Sequence, residues 1–387
     1  MIVLRFLAQS TAPLALAAGV VAAAAGAADA EMIRIGSVVS ATGPASFLGE
    51  PEAETLKLYV DRINAAGGVN GDQIELIVYD DGGDASKANT FATRLVEQDN
   101  VVAVVGGSTT GSTMAMIPIM EDAGLPFISL AGAIVIIDPV KPHVFKTPHT
   151  DRMACEKIFA DIRARGLTKV GMISGTGGFG KSMRAQCLDV AGGNDIAIVA
   201  DETYGPKDND MTPQLTNIRN AAGIEAVVNP GFGQGPAIVT RNYAQLGIDL
   251  PLYQSHGVAS KSFIDLAGDA AEGVRLPAPA LLVAEKLPDN DPQKQVVVAY
   301  KTEYEAATDK SVSTFGGYAY DGLMILVEAM RRAGSTDPAA VRDEIEATKG
   351  MVLTSGTFTM SPKDHMGLPL SAFRMLEIRN GDWTLVK

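Results

Sequence analysis

The chain has 387 residues, of which 47% are hydrophobic and 20% charged, and it carries a formal charge of −13. This composition describes a folded protein long enough for two domains with cores of their own, and it excludes a disordered one. An acidic body with no basic cluster also excludes nucleic acid as a partner, because that recognition begins with Lys and Arg neutralising phosphates.

The first thirty residues stand apart. Arg5 precedes an Ala/Leu/Val-rich run over 12–26, and Ala28-Asp29-Ala30 offers small residues to a signal peptidase. Residues 1–30 are therefore expected to be a signal peptide cleaved near Ala30. The run is shorter than the ~20 residues of a membrane span, and no basic stop follows it. Cleavage removes Arg5 and Asp29, which cancel, so the acidic charge survives. Export permits a disulfide between Cys155 and Cys187, the 2 cysteines of the chain. Both fall in expected helices, and a bridge and two free thiols are equally open. Two cysteines without matched histidines make no zinc site, and no metal is expected.

The elements then alternate. Strands are expected at 33–39, 73–79, 101–105 and 126–130, with helices at 52–65 (Leu56, Val60 and Ile63 on one face) and 85–98 (Ala88, Phe91, Ala92, Leu95 and Val96 on one face). Near-continuous apolar strands separated by amphipathic helices imply a parallel sheet covered on both sides. The rhythm restarts after Thr147, with helices at 151–165, 181–191, 213–222 and 236–246 and strands at 169–174, 196–200, 226–229 and 252–255. Helices at 318–332 and 338–349 and strands at 356–360 and 373–386 remain once the second set is complete. The fold class is thus α/β with two lobes, and the chain is expected to cross between them more than once. Thr212-Pro213, Asp291-Pro292 and Asp337-Pro338 each set a capping residue before a proline at a helix start. Gly67, Gly223, Gly247 and Gly334 stand where helices should stop.

One motif suggests an enzyme. Residues 175–180, GTGGFG, satisfy the dinucleotide pattern after a strand and before a helix, with Asp201 and Glu202 beyond the next strand. That would make the protein a secreted NAD-dependent oxidoreductase. Against it stand the export signal and four histidines, His143, His149, His256 and His365, none with an acid–base partner by spacing. The glycines are read instead as a tight turn that projects Phe179 into a cleft. With no nucleophile elbow, zinc-helix motif or phosphate loop, no catalytic residue and no cofactor are assigned. The acids at 80–81 and 289–291 are read as turn formers rather than calcium ligands.

The stretch VVGGSTTGSTMA at 104–115 crowds hydroxyls between glycines where a strand ends and a helix begins. Ligands of open α/β sheets lie at the carboxyl ends of strands. N–H groups at a helix start, joined by the hydroxyls of Ser108, Thr109, Thr110 and Thr113, suit a carboxylate better than a phosphate, since nothing basic is adjacent. The plain alternative, a helix capped by its own Ser and Thr, weighs equally.

Several motifs in register carry a resemblance: Thr42-Gly43-Pro44, INAAGGVNG at 63–71, Tyr79-Asp80-Asp81, the 106–113 cluster, AGDAAEG at 267–273 and FGGYAYD at 315–321. Over essentially the whole mature chain the sequence resembles type I periplasmic solute-binding proteins of ABC importers, in the branch that binds Leu, Ile and Val. The resemblance implies two Rossmann-like lobes joined by a three-crossover hinge, with residues 31–147 plus 279–350 in the first lobe and 148–278 plus 351–387 in the second. It implies a periplasmic monomer that closes on a small-molecule carboxylate and hands it to an ABC permease in the inner membrane. The family's carboxylate slots fall on Ser108, Thr109 and Thr110 and on the loop holding Ala131 and Ala133. Phe47, Leu48, Phe179, Phe232 and Phe315 fall in or beside the slots of the side-chain pocket. His256 stands where amino acid binders of this branch place an acid against the ligand's ammonium. The ligand is therefore expected to be an aromatic acid of the benzoate or hydroxycinnamate type, as in similar proteins that serve uptake of lignin-derived acids. The alternatives are a branched-chain amino acid or its keto acid, or a ligand-sensing module of a signalling system.

Overall fold

The structure, a computed structural model, describes residues 32–386. The expected signal peptide lies outside the described residues. Apolar strands that face water on neither side form the centre of each lobe.

The first lobe is built from β1 (Met32–Val39), α1 (Ser46–Ala65), β2 (Gln73–Asp80), α2 (Ala85–Glu97), β3 (Ala103–Gly106), α3 (Thr110–Ala123), β4 (Phe127–Ser129) and β5 (Val144–Lys146). Its sheet is parallel in the order β2-β1-β3-β4-β5. Leu56, Val60 and Ile63 of α1 and Ala88, Ala92 and Leu95 of α2 are buried against it as the helical spacing predicts, while Phe91 and Val96 at the margin of the α2 face are half-buried.

The second lobe holds α4 (Asp151–Ala164), β6 (Lys169–Gly175), α5 (Gly178–Ala191), β7 (Ala197–Tyr204), α6 (Thr212–Arg219), β8 (Ala226–Asn229), α7 (Gln234–Gln245), β9 (Leu252–Gln254), α8 (Lys261–Ala267) and β10 (Arg275–Ala278). The chain then returns to the first lobe for α9 (Lys294–Thr308), α10 (Thr314–Ala333), α11 (Pro338–Glu346) and the strand pair β11 (Met351–Val352) and β12 (Thr357–Phe358). It crosses once more to add β13 (Arg374–Arg379) and β14 (Asp382–Leu385) antiparallel at the edge of the second sheet, ordered β14-β13-β10-β9-β8-β6-β7. Among the described residues no helix is long and apolar enough to cross a membrane.

Three local readings need correction. The segment beginning at 351 was expected in the second lobe, but it packs on the first, where buried Asp321 of α10 accepts the N–H groups of Thr354 (2.8 Å) and Ser355 (2.9 Å). The expected strand 373–386 is two strands, because Asn380-Gly381 is the pair a two-residue hairpin calls for. Of the three proline caps, Asp337 caps α11 through Ala340 N–H (3.0 Å). The helix after Asp291 begins only at Lys294, since Asp291 accepts the Gln293 N–H (2.9 Å) and pairs with Arg374 (2.9 Å), and Met211 rather than Thr212 holds the cap position of α6.

Cys155 of α4 and Cys187 of α5 are both fully buried and joined by a disulfide across a sequence separation of 32. A closed loop of that length limits the unfolded chain, so the C155A/C187A double variant should lose about 4 kcal/mol of stability. Urea unfolding of the two proteins checks this, and equal midpoints would show that the two helices hold without the bridge.

Candidate functional site

The carboxyl ends of both sheets face each other, and the loops leaving β1, β3 and β4 meet those leaving β6, β8 and β9. Between them lies a cavity with about 390 Å³ of space unfilled by protein atoms, part of it open to solvent. Leu48, Ser108, Thr109, Thr110, Leu130, Ala131 and Gly132, with Phe315 and Tyr318 of α10, line it from the first lobe and Phe179, Phe232, His256 and Gly257 from the second, with Pro148 on the crossover between. The glycine-rich turn at 175–180 does bring Phe179 to this wall, and its backbone lines the outer mouth of the cleft.

The hydroxyl cluster divides into spent and free groups. Ser108 Oγ accepts the Ser40 N–H (2.9 Å) and donates to Glu52. Thr109 Oγ1 caps α3 by accepting the Ser112 N–H (3.0 Å), and it donates to Ser112 Oγ (2.9 Å). Thr113 Oγ1 donates to the Gly107 carbonyl (2.8 Å). Thr110 is the exception, because its Oγ1 is buried on the cavity wall with no protein partner. The N–H groups of the first turn of α3 also lack helical acceptors. A carboxylate set there meets the Thr110 hydroxyl, free N–H groups and the positive end of a helix.

The loop after β4 contributes less than expected. The Ala131 N–H is already bound to Ser129 Oγ (3.2 Å), and Ala133 lies away from the cavity with its carbonyl toward Lys146 (3.4 Å). Lys146 of β5, unnoticed in the sequence, is fully buried and donates to the Gly132 carbonyl (2.8 Å). Burial lowers its ammonium to about 7, although Asp151 pulls the other way. Gly132 is required by close approach, since a Cβ there would lie 2.6 Å from His256 Nε2 and 3.0 Å from Phe179.

His256 is buried, and neither ring nitrogen has a protein partner in hydrogen-bond geometry. Burial lowers the imidazole to about 3, with Lys146 pushing the same way and the His149 backbone opposing. His256 therefore stands as a neutral ring, edge-on to Phe179 and to Phe373 (both 5.3 Å between centroids). His149, on the first crossover, stacks on Phe373, on the last (4.1 Å). His365 is structural: it bonds Glu346 (3.0 Å) and the Val144 carbonyl (2.9 Å). Phe47 is set back from the cavity, edge-on to Phe315 (5.6 Å) and near Phe232 (6.3 Å). Gly132 lies in the expected loop, and Leu130, Pro148, Gly257 and Tyr318 complete the wall beyond the residues expected from the sequence.

No carboxylate side chain lines this cavity. The acid behind it, Glu52, is fully buried, and burial raises it to about 8, the Ser108 bond lowering it and Asp81 raising it further. Among the described residues, no group of three or more His, Cys, Asp or Glu is placed to hold a metal ion.

A family model described as periplasmic binding protein matches residues 32–382. The chain is 25% identical over 320 residues to a leucine-, isoleucine-, valine-, threonine- and alanine-binding protein of Pseudomonas aeruginosa, covering 82% of this chain and 83% of that one. An extracellular ligand-binding receptor from Rhodopseudomonas palustris superposes with a TM-score of 0.85 at 27% identity, over 92% of this chain and 99% of that one. A substrate-binding protein of a branched-chain amino acid transporter from Streptococcus pneumoniae, solved in complex with isoleucine, gives a TM-score of 0.81 at 24% identity over 92% and 100%, a likeness of fold.

Lys146 gives the site a signature in stability. Its folded value, about 7, lies below the ordinary 10.5. Between those values the unfolded chain binds more protons, so this group makes stability rise as pH climbs through that window. K146M should remove that rise in urea midpoints measured across alkaline pH, and an unchanged slope would place its origin elsewhere.

Proposed function

This chain belongs to the periplasmic binding protein family, and on that premise we propose that it is the solute-binding component of an ABC importer. It takes a small monocarboxylate with an apolar side group into the cleft and presents it to a permease. The observation that carries this reading is the unpartnered Thr110 hydroxyl at the start of α3, in a cavity whose remaining wall is mostly apolar and includes two leucines and three phenylalanines. Hydroxyl and helix start orient the carboxylate, and burial of the side group supplies most of the affinity. Closure of the lobes by a hinge motion encloses the solute.

For the side group, the relatives weigh toward branched aliphatic solutes, ahead of the aromatic acid expected from the sequence, because binding of leucine, isoleucine and valine is what the Pseudomonas protein's name states. The cleft supports a narrower choice. Burying an isobutyl group contributes about 2–3 kcal/mol, whereas an ammonium buried without an anionic partner costs roughly 3–5 kcal/mol. With neutral His256 in the acid's place, leucine would lose by the second effect what it gains by the first. The keto acid of leucine keeps the gain and avoids the loss. The phenylalanine-rich wall, with Phe179 and Phe232 edge-on at 6.1 Å, favours an aromatic acid as the second reading.

Thermal shifts of the refolded, ligand-stripped protein against leucine, its keto acid and benzoate separate these. The keto acid should raise the melting temperature by several degrees at ~1,000 times its Kd, with leucine giving little. Stronger stabilisation by leucine would establish the amino acid reading, and stabilisation by benzoate alone the aromatic one. T110V should weaken the best ligand about tenfold or more in calorimetric titration, and unchanged affinity would move the carboxylate elsewhere.

A further inference from the structure

Glu52 is the buried acid that this reading leaves unused. It lies on α1, and α1 runs against the loop after β1 because Gly49 has no Cβ, which would fall 2.2 Å from the Ser40 carbonyl carbon. That approach sets the Glu52 carboxyl on Ser108, through Oε2, while Oε1 has no partner. Ser108 Oγ also accepts the Ser40 N–H (2.9 Å), and Ser108 is on the cavity wall.

A hydroxyl has one hydrogen and two lone pairs. One lone pair of Ser108 is filled by Ser40, so the Glu52 proton decides the rest. If Glu52 is ionised, the Ser108 hydrogen points to it, and a lone pair and a buried negative charge face the cleft. If Glu52 holds its proton, its O–H donates to the second lone pair, and the Ser108 hydrogen is released toward the cleft. We propose that Glu52 is a positioning residue whose carboxyl proton turns Ser108 into a donor for the solute, so that a carboxylate binds the form of the protein in which Glu52 is neutral. This rests on the reading of the cleft as a carboxylate site.

The surroundings favour the neutral form. Asp81, across from Glu52, accepts from Ser40 Oγ (2.6 Å) and the Gly83 N–H (2.7 Å) and carries charge of the same sign. On α1 itself, Glu50 and Glu54 turn outward to Lys310. From α9, Tyr300 bonds Thr55 (2.8 Å), and from α10, Tyr318 lines the cavity; burial holds the protons of both more tightly than usual. Among the described residues no ion pair reaches Glu52, and its folded value of about 8 leaves it mostly protonated at neutral pH.

The coupling is tested by titrating the protein with benzoate and with the keto acid of leucine from about pH 6 to about pH 10, a range in which neither probe titrates. Wild-type affinity should hold to about pH 8 and then fall, by roughly tenfold or more at the alkaline end. E52Q, whose amide donates to Ser108 at every pH, should lose this fall while keeping any component from Lys146 at lower pH. S108A should bind more weakly and also lose the fall, and it carries the test should E52Q not fold. In the ligand-free protein, the infrared difference between wild type and E52Q, which cancels the bands of buried Asp321 and Asp151, should show the carbonyl stretch of a neutral carboxyl at neutral pH that vanishes as pH passes about 8. An alkaline fall undiminished in E52Q and S108A, or no such band at neutral pH, overturns the coupling alone. Failure of both probes at every pH overturns the carboxylate reading and the coupling together.

Discussion

Two sheets, one parallel and one parallel but for an antiparallel edge, leave one place where backbone donors can meet a solute, and that is the carboxyl ends of their parallel strands. The rest of the protein is arranged around this constraint. Parallel pairing sends the chain back through a helix after nearly every strand, so a loop and a helix start are delivered to the same edge each time. When the two edges face each other, the donors of α3 and the aromatic rings of the second lobe share one cavity. The three crossovers then hold that opposition, with the rings of His149 and Phe373 stacked between the first and the last.

Within the cavity, polar groups are few, and those of the hydroxyl cluster are mostly engaged by the protein, while the His256 ring and the Tyr318 hydroxyl are without partners. Thr109, Thr113 and the Ala131 N–H serve local structure and Ser108 is held by Ser40 and Glu52, which leaves Thr110 as the unpaired hydroxyl of the cluster. Behind the walls the ionisable groups are pushed by burial toward neutrality from both directions, Glu52 upward and Lys146 and His256 downward. Low dielectric makes an unpaired charge costly, and a site of this kind discriminates by the charges that it refuses as well as by those that it pairs. A carboxylate solute would be the principal charge in it.

Much of the fold was legible from the strand and helix periods, because burial on both faces leaves a continuous apolar run and burial on one leaves a stripe. The short elements were not. β5 contains Lys146, and a buried lysine inside a strand reads as surface until its acceptors at Gly132 and Ala133 are seen. The strand pair at 351–358 gave no sign of its lobe, since its anchor is Asp321, thirty-three residues upstream of Thr354.

For the site, the sequence by itself determined the inventory: a hydroxyl cluster at a strand end, phenylalanines at loop positions, a histidine just after a strand of the second lobe, and the order of elements that brings these to one edge. Local patterns of two and 3.6 residues suffice for that. Only the tertiary structure decided which hydroxyl is free, that Glu52 backs Ser108 from 56 positions away, and that the two cysteines meet. The reason is physical. A hydrogen bond is assigned by distances of a few ångströms, and those distances are fixed by how helices seat on sheets, down to the missing Cβ of Gly49.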